Sequence, residues 1–364
     1  MNPKLTALVS RKRGIFSRRD AIACGYTDAQ IRARIRRGEW VRIWRGTYAP
    51  ANTAAADLSR TANDARHTTQ HQRPTGSTDA GKPDHDEDEE DADPANCELD
   101  RSLEADERAA EAHRLLTRAV LASLGRGVVA SHQSAAVAHG LPAWGLDLAR
   151  VHVTRSDGRL GRTRSRVVQH KATGPVARER AAGIGAVPLA RAVVEAATLS
   201  GFEAGVVLAD AALRAGVDRD DLRRALRELG RRDGSVKAAA VVEFADGRSE
   251  SVGESRLRVL MDTMGVPAPE LQHTVLDDGG QFVGRVDFFF PTQGVVVEFD
   301  GLVKYREDSA ATVVREKKRE DALRELGHEV VRVVWRDLHT PELTALRIMR
   351  ALKRGVDRRA TTVS

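Results

Sequence analysis

The stretch GRVDFFFPTQGVVVEFDG, residues 284–301, constrains the fold of this chain more than any other part of its sequence. Two runs of β-branched and aromatic residues flank a Pro-Thr-Gln-Gly segment, a pattern typical of two strands joined by a tight turn. If Thr-Gln is the loop, Asp287 lies opposite Glu298, and Asp300 shares the face of Glu298 because side chains alternate along a strand. The sequence therefore predicts a β-hairpin that carries carboxylates among apolar neighbours.

These carboxylates need a stabilising partner, because opposed acids repel and lose hydration among apolar side chains. A shared proton, a salt bridge to Arg285 or a divalent cation would each supply one. Mg²⁺ prefers carboxylate oxygens, and a bound metal can activate water for attack on a phosphodiester. Glu254, on the predicted helix before the sheet, is a candidate for a third oxygen ligand. The alternative is that acids at strand ends simply face solvent.

The segments around the hairpin predict an α/β sandwich. A helix over SVGESRLRVLMDTMG and a strand over PELQHTVLD precede the hairpin. A long helix over TVVREKKREDALRELGH, a strand over EVVRVVW and a helix over PELTALRIMRALKRG follow it. The resulting order αβββαβα packs helices on a mixed sheet. We place this domain at residues 246–355 and a short tail at residues 356–364.

Residues 1–50 show the element order of a winged helix-turn-helix. Ser17 and Thr27 are good N-caps for two short helices, SRRDAIACGY and TDAQIRARIRRG. The stretch WVRIWRGTYAP then alternates around a turn at Arg45-Gly46. In such a fold the second helix enters the major groove of DNA, and the hairpin grips the backbone.

Charge is distributed unevenly along the chain, whose formal net charge is +6. Residues 1–50 hold 12 basic and 3 acidic side chains, whereas residues 79–108 hold 3 basic and 14 acidic ones. The basic segment indicates nucleic-acid binding, although ordinary solubility explains such charge as well. The candidate DNA-binding residues are Arg32, Arg34, Arg36, Arg37 and Arg45.

The centre of the chain divides into two parts. Residues 51–108 are polar and acidic and contain Pro and Gly, so they predict a disordered linker. Residues 109–245 predict a helix-rich middle domain, with Ala-rich helical periodicity and two short strands, RVHVTR and SRVVQHKA. His132 and His139 fall on one helical face without an adjacent carboxylate, and we interpret them as packing or capping residues. The whole chain is predicted to be multidomain, combining α+β and α/β parts.

The sequence also argues against several classes of protein. No apolar run approaches the roughly 18 residues of a membrane span, and the N-terminus lacks the pattern of a secretory signal. Cys24 and Cys97 are isolated, so they indicate neither a disulfide framework nor a zinc site. A protein of the reducing cytoplasm is the simple interpretation. We expect no membrane partner and no small-molecule cofactor.

Four segments of the C-terminal part resemble the endonuclease-like domain related to very-short-patch repair enzymes: ESRLRVLM, RVDFFFP, VVVEFDG and EKKREDALRELGHEVVRVVW. That domain belongs to the PD-(D/E)xK nuclease superfamily, and the resemblance covers roughly residues 250–350. It implies a restriction-endonuclease-like αβββαβ core that hydrolyses phosphodiester bonds in DNA with Mg²⁺ or Mn²⁺. It also implies that Asp287, Glu298 and Glu254 hold the metal.

This chain departs from the superfamily at one position. Members typically carry Lys two residues after the second acid, where this sequence has Asp300. Lys304 or Lys317 is a candidate to supply the missing cation, since a long Lys side chain reaches from a neighbouring position. The implied catalytic set is Glu254, Asp287, Glu298, Asp300, Lys304 and Lys317. The departure also leaves open a nuclease-like domain without activity.

The segment GIFSRRDAIACGYTDAQIRARIRRGEWVRIWRGTYAP resembles the N-terminal winged-helix domain of AbiEi-type antitoxins from type IV toxin–antitoxin systems. The family pattern R-G-x-Y is matched at Arg45, Gly46 and Tyr48. VVASHQSAAVAHGLP and RVHVTR resemble the segment that follows in actinobacterial relatives. The resemblance implies autoregulatory DNA binding and a cognate toxin partner. The sequence thus leaves two main functions open, a metal-dependent endonuclease and a regulator whose nuclease-like domain is inactive.

Overall fold

A computed structural model describes residues 1–51, 94–157, 161–164, 166–172, 174–301 and 310–362, with side chains described outside 94–103, 310–316 and 359–362. The chain divides into two compact units, Met1–Val128 and Val129–Ser364. Strands in the described residues form several separate sheets in a mixed α/β arrangement, as expected for a multidomain chain. Lys304 and most of the predicted acidic linker lie outside the described residues.

The first unit begins with a small domain of helices and a sheet. Its elements are α1 (Pro3–Arg11), β1 (Phe16–Ser17), α2 (Arg18–Ala23), α3 (Asp28–Arg36), β2 (Trp40–Trp44) and β3 (Thr47–Pro50). The strands pair antiparallel in the order β1-β3-β2. Two helices followed by a hairpin are consistent with the winged helix-turn-helix predicted for this segment.

Both predicted helix starts in this domain are confirmed. The Ser17 hydroxyl accepts a hydrogen bond from the N–H of Asp20, and the Asp20 carboxylate accepts one from the N–H of Ser17. Thr27 and Gln30 form the same reciprocal pair at the start of α3. Such capping boxes satisfy backbone donors that a helix cannot satisfy internally. The hairpin turn includes Gly46, whose φ of 67° lies in the region that glycine favours.

Aromatic side chains form the core of the small domain. Trp40 makes edge-to-face contacts with Phe16 and Tyr26, with ring centroids 4.8 and 5.1 Å apart. Leu5 from α1 and Ile31 from α3 pack into the same core and are almost fully buried. This packing of α3 determines which of its side chains face solvent.

A long helix, α4 (Pro94–Leu124), also belongs to the first unit. The linker prediction is corrected for residues 94–108, because the helix begins inside that acidic stretch. Leu115 and Leu116 are buried, and the Trp44 indole N–H donates to the Ser123 hydroxyl at 3.0 Å. Extending a helix costs little free energy once it is nucleated. The packed C-terminal turns of α4 therefore allow the acidic residues before them to be helical.

The second unit opens with a sheet and a group of helices. Its elements are β4 (Val128–Ala130), α5 (His132–Ala138), β5 (Val151–Arg155), β6 (Arg162–Arg164), β7 (Val167–Lys171), β8 (Glu179–Ala181), β9 (Ile184–Ala186), α6 (Leu189–Leu199), α7 (Phe202–Arg214), α8 (Arg219–Leu229) and α9 (Ser235–Phe244). The strands lie in the order β6-β7-β5-β4-β9-β8, and β5 and β7 are parallel. Ala, Val and Leu side chains of α6 to α9 share one buried core. The Ala-rich periodicity of residues 109–245 therefore corresponds to helices that pack on one another.

The remainder of the second unit contains another sheet. Its elements are α10 (Val252–Thr263), β10 (Glu270–Leu276), β11 (Phe282–Phe290), β12 (Val295–Asp300), α11 (Ala310–Glu325), β13 (Glu329–Val334), a 3-10 helix (Trp335–His339) and α12 (Pro341–Thr362). The strand order is β10-β11-β12-β13, with β12 and β13 parallel. This element order agrees with the predicted αβββαβα, and α12 continues through most of the predicted tail. The assignment to a restriction-endonuclease-like core stays a prediction.

The β11–β12 hairpin has the predicted register. Phe288 pairs with Val297, and Phe290 pairs with Val295, so the turn is where the sequence placed it. All four side chains are buried. The acids therefore lie at the end of the paired segment that is far from the turn. No helix in the described residues combines the length and apolar character that crossing a membrane requires.

Candidate DNA-binding surface and carboxylate group

Several exposed arginines of the small domain lie on α3 and on the hairpin. Arg32 and Arg36 are exposed, and their i,i+4 spacing puts them on the same side of the helix. Arg37 follows as the C-cap residue and is also exposed, with a guanidinium nitrogen 3.8 Å from Glu39. Arg45 lies exposed in the turn between β2 and β3. These positions suit contacts with an extended anionic partner.

Arg34 has a different environment from the other four predicted arginines. Its guanidinium lies over the rings of Tyr26 and Trp40, 5.3 and 5.4 Å from their centroids. It also forms an ion pair with Glu39. The side chain therefore covers the aromatic core and is engaged within the domain. These contacts give Arg34 a supporting role for α3, and its contact with DNA stays a prediction.

Arg42 and Arg18 are among the arginines of this domain that the predicted set left out. Arg42 is exposed on β2, and its charge in the middle of WVRIWRG was the available sequence signal. Arg18, at the start of α2, donates from Nε to the Asp28 carboxylate at 2.7 Å. This bond holds the pKa of Asp28 below its usual value. It joins the starts of α2 and α3 and helps to fix the angle between them.

The predicted carboxylates of the second unit begin with Glu254, in the first turn of α10. The Ser251 hydroxyl accepts from the N–H of Glu254 at 3.1 Å, and Glu254 Oε2 accepts from the N–H of Glu250 at 2.8 Å. Glu254 is buried, and the same Oε2 accepts from the amide of Gln272 at 2.9 Å. This carboxylate therefore stabilises the helix start and a contact with β10.

Gln272 links two of the predicted acids. Its Nε2 donates to Glu254 at 2.9 Å and lies 3.3 Å from Asp287 Oδ1. Its φ of 51° is unusual for a non-glycine residue and costs about 1–3 kcal/mol. Residue type does not reveal such a backbone conformation, so Gln272 could not be predicted as a site residue.

Asp287 precedes the paired residues of the β11–β12 hairpin. Phe288 pairs with Val297, and Asp287 Oδ2 accepts from the backbone N–H of Phe299 at 2.9 Å. The carboxylate thus binds a backbone donor of the neighbouring strand. The direct opposition of Asp287 and Glu298 stays a prediction.

Glu298 and Asp300 are compensated by arginines from later elements. Arg319 on α11 binds both oxygens of Glu298, at 2.7 and 3.0 Å. Arg332 on β13 lies 3.4 Å from Asp300. Arg285, the partner considered from the sequence, instead pairs with Glu250 at 2.8 Å. Sequence reasoning missed Arg319 because only the folded chain brings α11 onto this strand.

The described contacts engage the predicted metal ligands with other groups of the chain. Within the part of the chain that the structure describes, Glu254, Asp287 and Glu298 do not form a group of three whose oxygens share one ion. Glu298 binds a guanidinium, and an amide joins the other two. Lys317 is exposed on α11, and Lys304 lies outside the described residues. A site for Mg²⁺ or Mn²⁺ here stays a prediction.

Comparison with known families identifies the small domain. Residues 3–51 match the family described as "Transcriptional regulator, AbiEi antitoxin". The chain begins with an AbiEi antitoxin-type regulator domain. The matched range spans α1 to β3, so it covers the capped helices, the hairpin and the exposed arginines.

Two curated proteins of Mycobacterium tuberculosis are 37% identical to this chain over 148 residues, namely the uncharacterized proteins MT2308 (strain CDC 1551) and Rv2248 (strain H37Rv). The match covers 40% of this chain, and the chain spans about half (54%) of the length of these relatives. Among solved structures, the crystal structure of the RV2827C protein from the same organism covers 75% of this chain and 87% of that chain, at 17% identity and a TM-score of 0.32. A likeness at that level carries no argument about fold or function.

The AbiEi-type domain explains the arrangement of charges in the first unit. Among its arginines are an exposed group on α3 and the hairpin and an engaged group, Arg18 and Arg34, whose members form ion pairs within the domain. The engaged group stabilises the domain, and the exposed group is available to a partner.

Proposed function

We propose that this chain is a DNA-binding transcriptional regulator of the AbiEi antitoxin type. The observation that carries the proposal is the family match over residues 3–51, a segment with exposed arginines on α3 and the hairpin. Antitoxins of this family suggest a cognate toxin as partner, so we propose autoregulatory DNA binding together with toxin recognition. Such regulation takes place where the DNA is, which is the cytoplasm of a bacterial cell.

The domain is proposed to bind DNA through α3 and the hairpin. Helix α3 enters the major groove, where Arg32 and Arg36 contact phosphates or base edges. The hairpin lies along the backbone, where Arg42 and Arg45 contact phosphates. Arg34 holds α3 on the aromatic core and thereby sets its orientation. The charge pattern supports an affinity with a large electrostatic part.

Salt-dependent DNA binding tests this proposal. The full chain is titrated against a duplex that contains the DNA upstream of its own coding sequence, over a series of salt concentrations. We expect Arg32→Ala/Arg36→Ala to weaken binding and to reduce the slope of log K against log salt by up to about 2. The matched control is Arg223→Ala/Arg224→Ala, which removes two partly exposed arginines from α8. An unchanged slope in the α3 variant, or an equal change in the control, would refute the proposed interface.

A second candidate function is metal-dependent hydrolysis of phosphodiester bonds by the C-terminal part. The observation that favours it is the joining of Glu254 and Asp287 through Gln272, in a segment with the αβββαβ order. The arginine bound to Glu298 argues against it, because that carboxylate already has a cationic partner. We therefore place it after the regulatory function.

Plasmid nicking separates the two candidates. The full chain is incubated with supercoiled plasmid and Mn²⁺ or Mg²⁺, and the regulator is expected to bind the plasmid without cutting it. Cutting that is lost in both Asp287→Ala and Glu254→Gln would establish the nuclease instead. The matched control is Asp262→Ala, which removes an exposed acid from α10. Equal cutting by all variants would indicate a contaminating nuclease.

A further inference from the structure

Three histidines that are distant in sequence lie together in the second unit. His132 is the first residue of α5, His152 lies in β5 and His170 lies in β7. One ring nitrogen from each of them lies within 4.8 Å of the others, and His152 Nδ1 is 3.0 Å from His170 Nε2. The parallel pairing of β5 with β7 places His152 beside Val168, so His170 follows two residues later on the same face. The pairing of β5 with β7 therefore brings two of the three histidines, His152 and His170, together.

A buried carboxylate contacts His132. Glu195 on α6 is almost completely buried, and its Oε2 is 3.4 Å from His132 Nδ1. The same oxygen accepts from the backbone N–H of His132 at 3.2 Å, and Arg191 donates to the other oxygen at 2.8 Å. A carboxylate at one imidazole nitrogen is the usual outer partner of a metal-binding histidine, because it fixes the tautomer and the ring orientation.

The backbone also fixes the position of His132. Its φ of 53° lies in the left-handed region, which a residue with a side chain adopts at an energetic cost. The N–H of Ser131 donates to the carbonyl of His152 at 3.0 Å, and the N–H of His152 donates to the Ser134 hydroxyl at 2.8 Å. These bonds attach the start of α5 to β5 on both sides of the histidine. An unusual conformation held by its surroundings is typical of functional positions.

His132 and His170 are held in the neutral form that binds a metal. Burial lowers the pKa of His132 well below its usual value, and burial together with the charge of Arg232 lowers the pKa of His170 to about 4. At neutral pH both rings are therefore neutral and carry a lone pair. Metal ions bind the neutral imidazole and compete with protons for it.

We propose that His132, His152 and His170 bind a divalent transition-metal ion, with Zn²⁺ as the expected occupant. Imidazole ligands suit zinc and its neighbours and are a poor set for Mg²⁺ or Ca²⁺. Nitrogens at the Zn–N distance of about 2.0–2.1 Å in a tetrahedral site are about 3.4 Å apart, so small side-chain rotations close the present group around an ion. Glu195 orients His132, and the fourth position takes water or another oxygen. Bound zinc would tie α5, β5 and β7 together.

His139 shows why the group was missed. Both His132 and His139 were interpreted as packing or capping residues from the sequence, and His139 Nε2 does bind the carbonyl of Val187 at 2.8 Å. His132 instead meets histidines from two strands, and no sequence spacing joins these three positions. Sequence motifs for metal sites rely on ligands close in the chain, whereas this group depends on the sheet.

Metal analysis of the full-length chain without a histidine tag tests the proposal. The protein is loaded with Zn²⁺, desalted and analysed by elemental mass spectrometry, and we expect about one zinc per chain. His152→Ala/His170→Ala is expected to lose this zinc. The matched control is His67→Ala/His71→Ala, which removes two histidines elsewhere in the sequence and is expected to keep it. No zinc in the wild-type chain, or equal zinc in both double variants, would overturn the proposal.

A second variant and a spectroscopic measurement cover the case in which the double variant does not fold. Glu195→Gln keeps the three ligands and weakens the outer partner of His132, so we expect about 10- to 100-fold weaker zinc binding. X-ray absorption at the zinc edge of the wild-type chain should show three nitrogen ligands of imidazole type at about 2.0–2.1 Å. Sulfur ligation, a shell of oxygens alone, or unchanged affinity in Glu195→Gln would contradict the assignment.

Discussion

The arginines of the AbiEi-type domain and the carboxylates of the C-terminal sheet were both candidate functional residues. The two groups differ in their solvent exposure and in their contacts within the chain. Arg32, Arg36 and Arg45 remain exposed, whereas Glu298 and Asp287 are engaged by other parts of the chain. A charge that is compensated within the protein is unavailable until that contact breaks. An exposed basic group has no such barrier to an external anion. The difference favours a DNA-binding regulator over a hydrolase.

The largest expected effect tests the engaged side of this comparison. Glu298→Ala leaves the largely buried Arg319 guanidinium without its carboxylate, so we expect the free energy of unfolding to fall by about 3 kcal/mol. Urea denaturation of the full chain measures the change. Asp278→Ala, which removes an exposed acid from the same sheet region, is expected to cost less than about 0.5 kcal/mol. Equal losses in both variants would remove the distinction between engaged and exposed acids.

A smaller effect is expected from the buried histidines under acidic conditions. The pKa of His170 is about 4 in the folded chain and about 6.5 when unfolded, so the unfolded state binds more protons between these values. Stability is therefore full above pH 6.5 and falls as the pH drops toward 4. We expect a loss of about 1–2 kcal/mol between pH 7 and pH 5 in the presence of a chelator.

His170→Gln is the matched variant for this pH dependence. Glutamine does not titrate, so the decrease in unfolding free energy between pH 7 and pH 5 should become smaller. Urea denaturation at several pH values gives the comparison. An unchanged pH profile would show that other groups cause the acid sensitivity.

Arg34 provides a test within the AbiEi-type domain itself. Arg34→Ala removes the guanidinium from the Tyr26 and Trp40 rings and breaks the ion pair with Glu39, so we expect a loss of about 1 kcal/mol. Hydrogen exchange of residues 1–50 measures this local stability. Protection equal to that of the wild type would place Arg34 among the exposed arginines after all.

The smallest expected change in stability belongs to the exposed arginines. Arg32→Ala/Arg36→Ala should alter the unfolding free energy by less than about 0.5 kcal/mol, because both side chains are exposed. The same variant is expected to lose DNA affinity. A large loss of stability here would mean that these arginines have an internal role, and the comparison would fail.

The helix starts and the hairpin register could be predicted from the sequence, because interactions between residues close in the chain determine them. The capping boxes at Ser17 and Thr27 and the hairpin register at Phe288 each depend on residues a few positions apart. The contacts of Glu298 and His132 depend on elements far along the chain, and neither partner is recognisable from spacing. The sequence therefore points to candidate residues, whereas their partners become visible only in the folded chain.

The bond between Glu298 and Arg319 also bears on the order in which the sheet forms. The two residues are 21 positions apart, and Arg319 lies on the helix that leads from β12 to the parallel strand β13. We expect the hairpin, whose turn closes a short loop, to form before this bond, which needs the crossover helix. Glu298 would then stay hydrated until that helix packs. We expect Arg319→Lys to speed unfolding and leave the folding rate nearly unchanged, which stopped-flow kinetics would show.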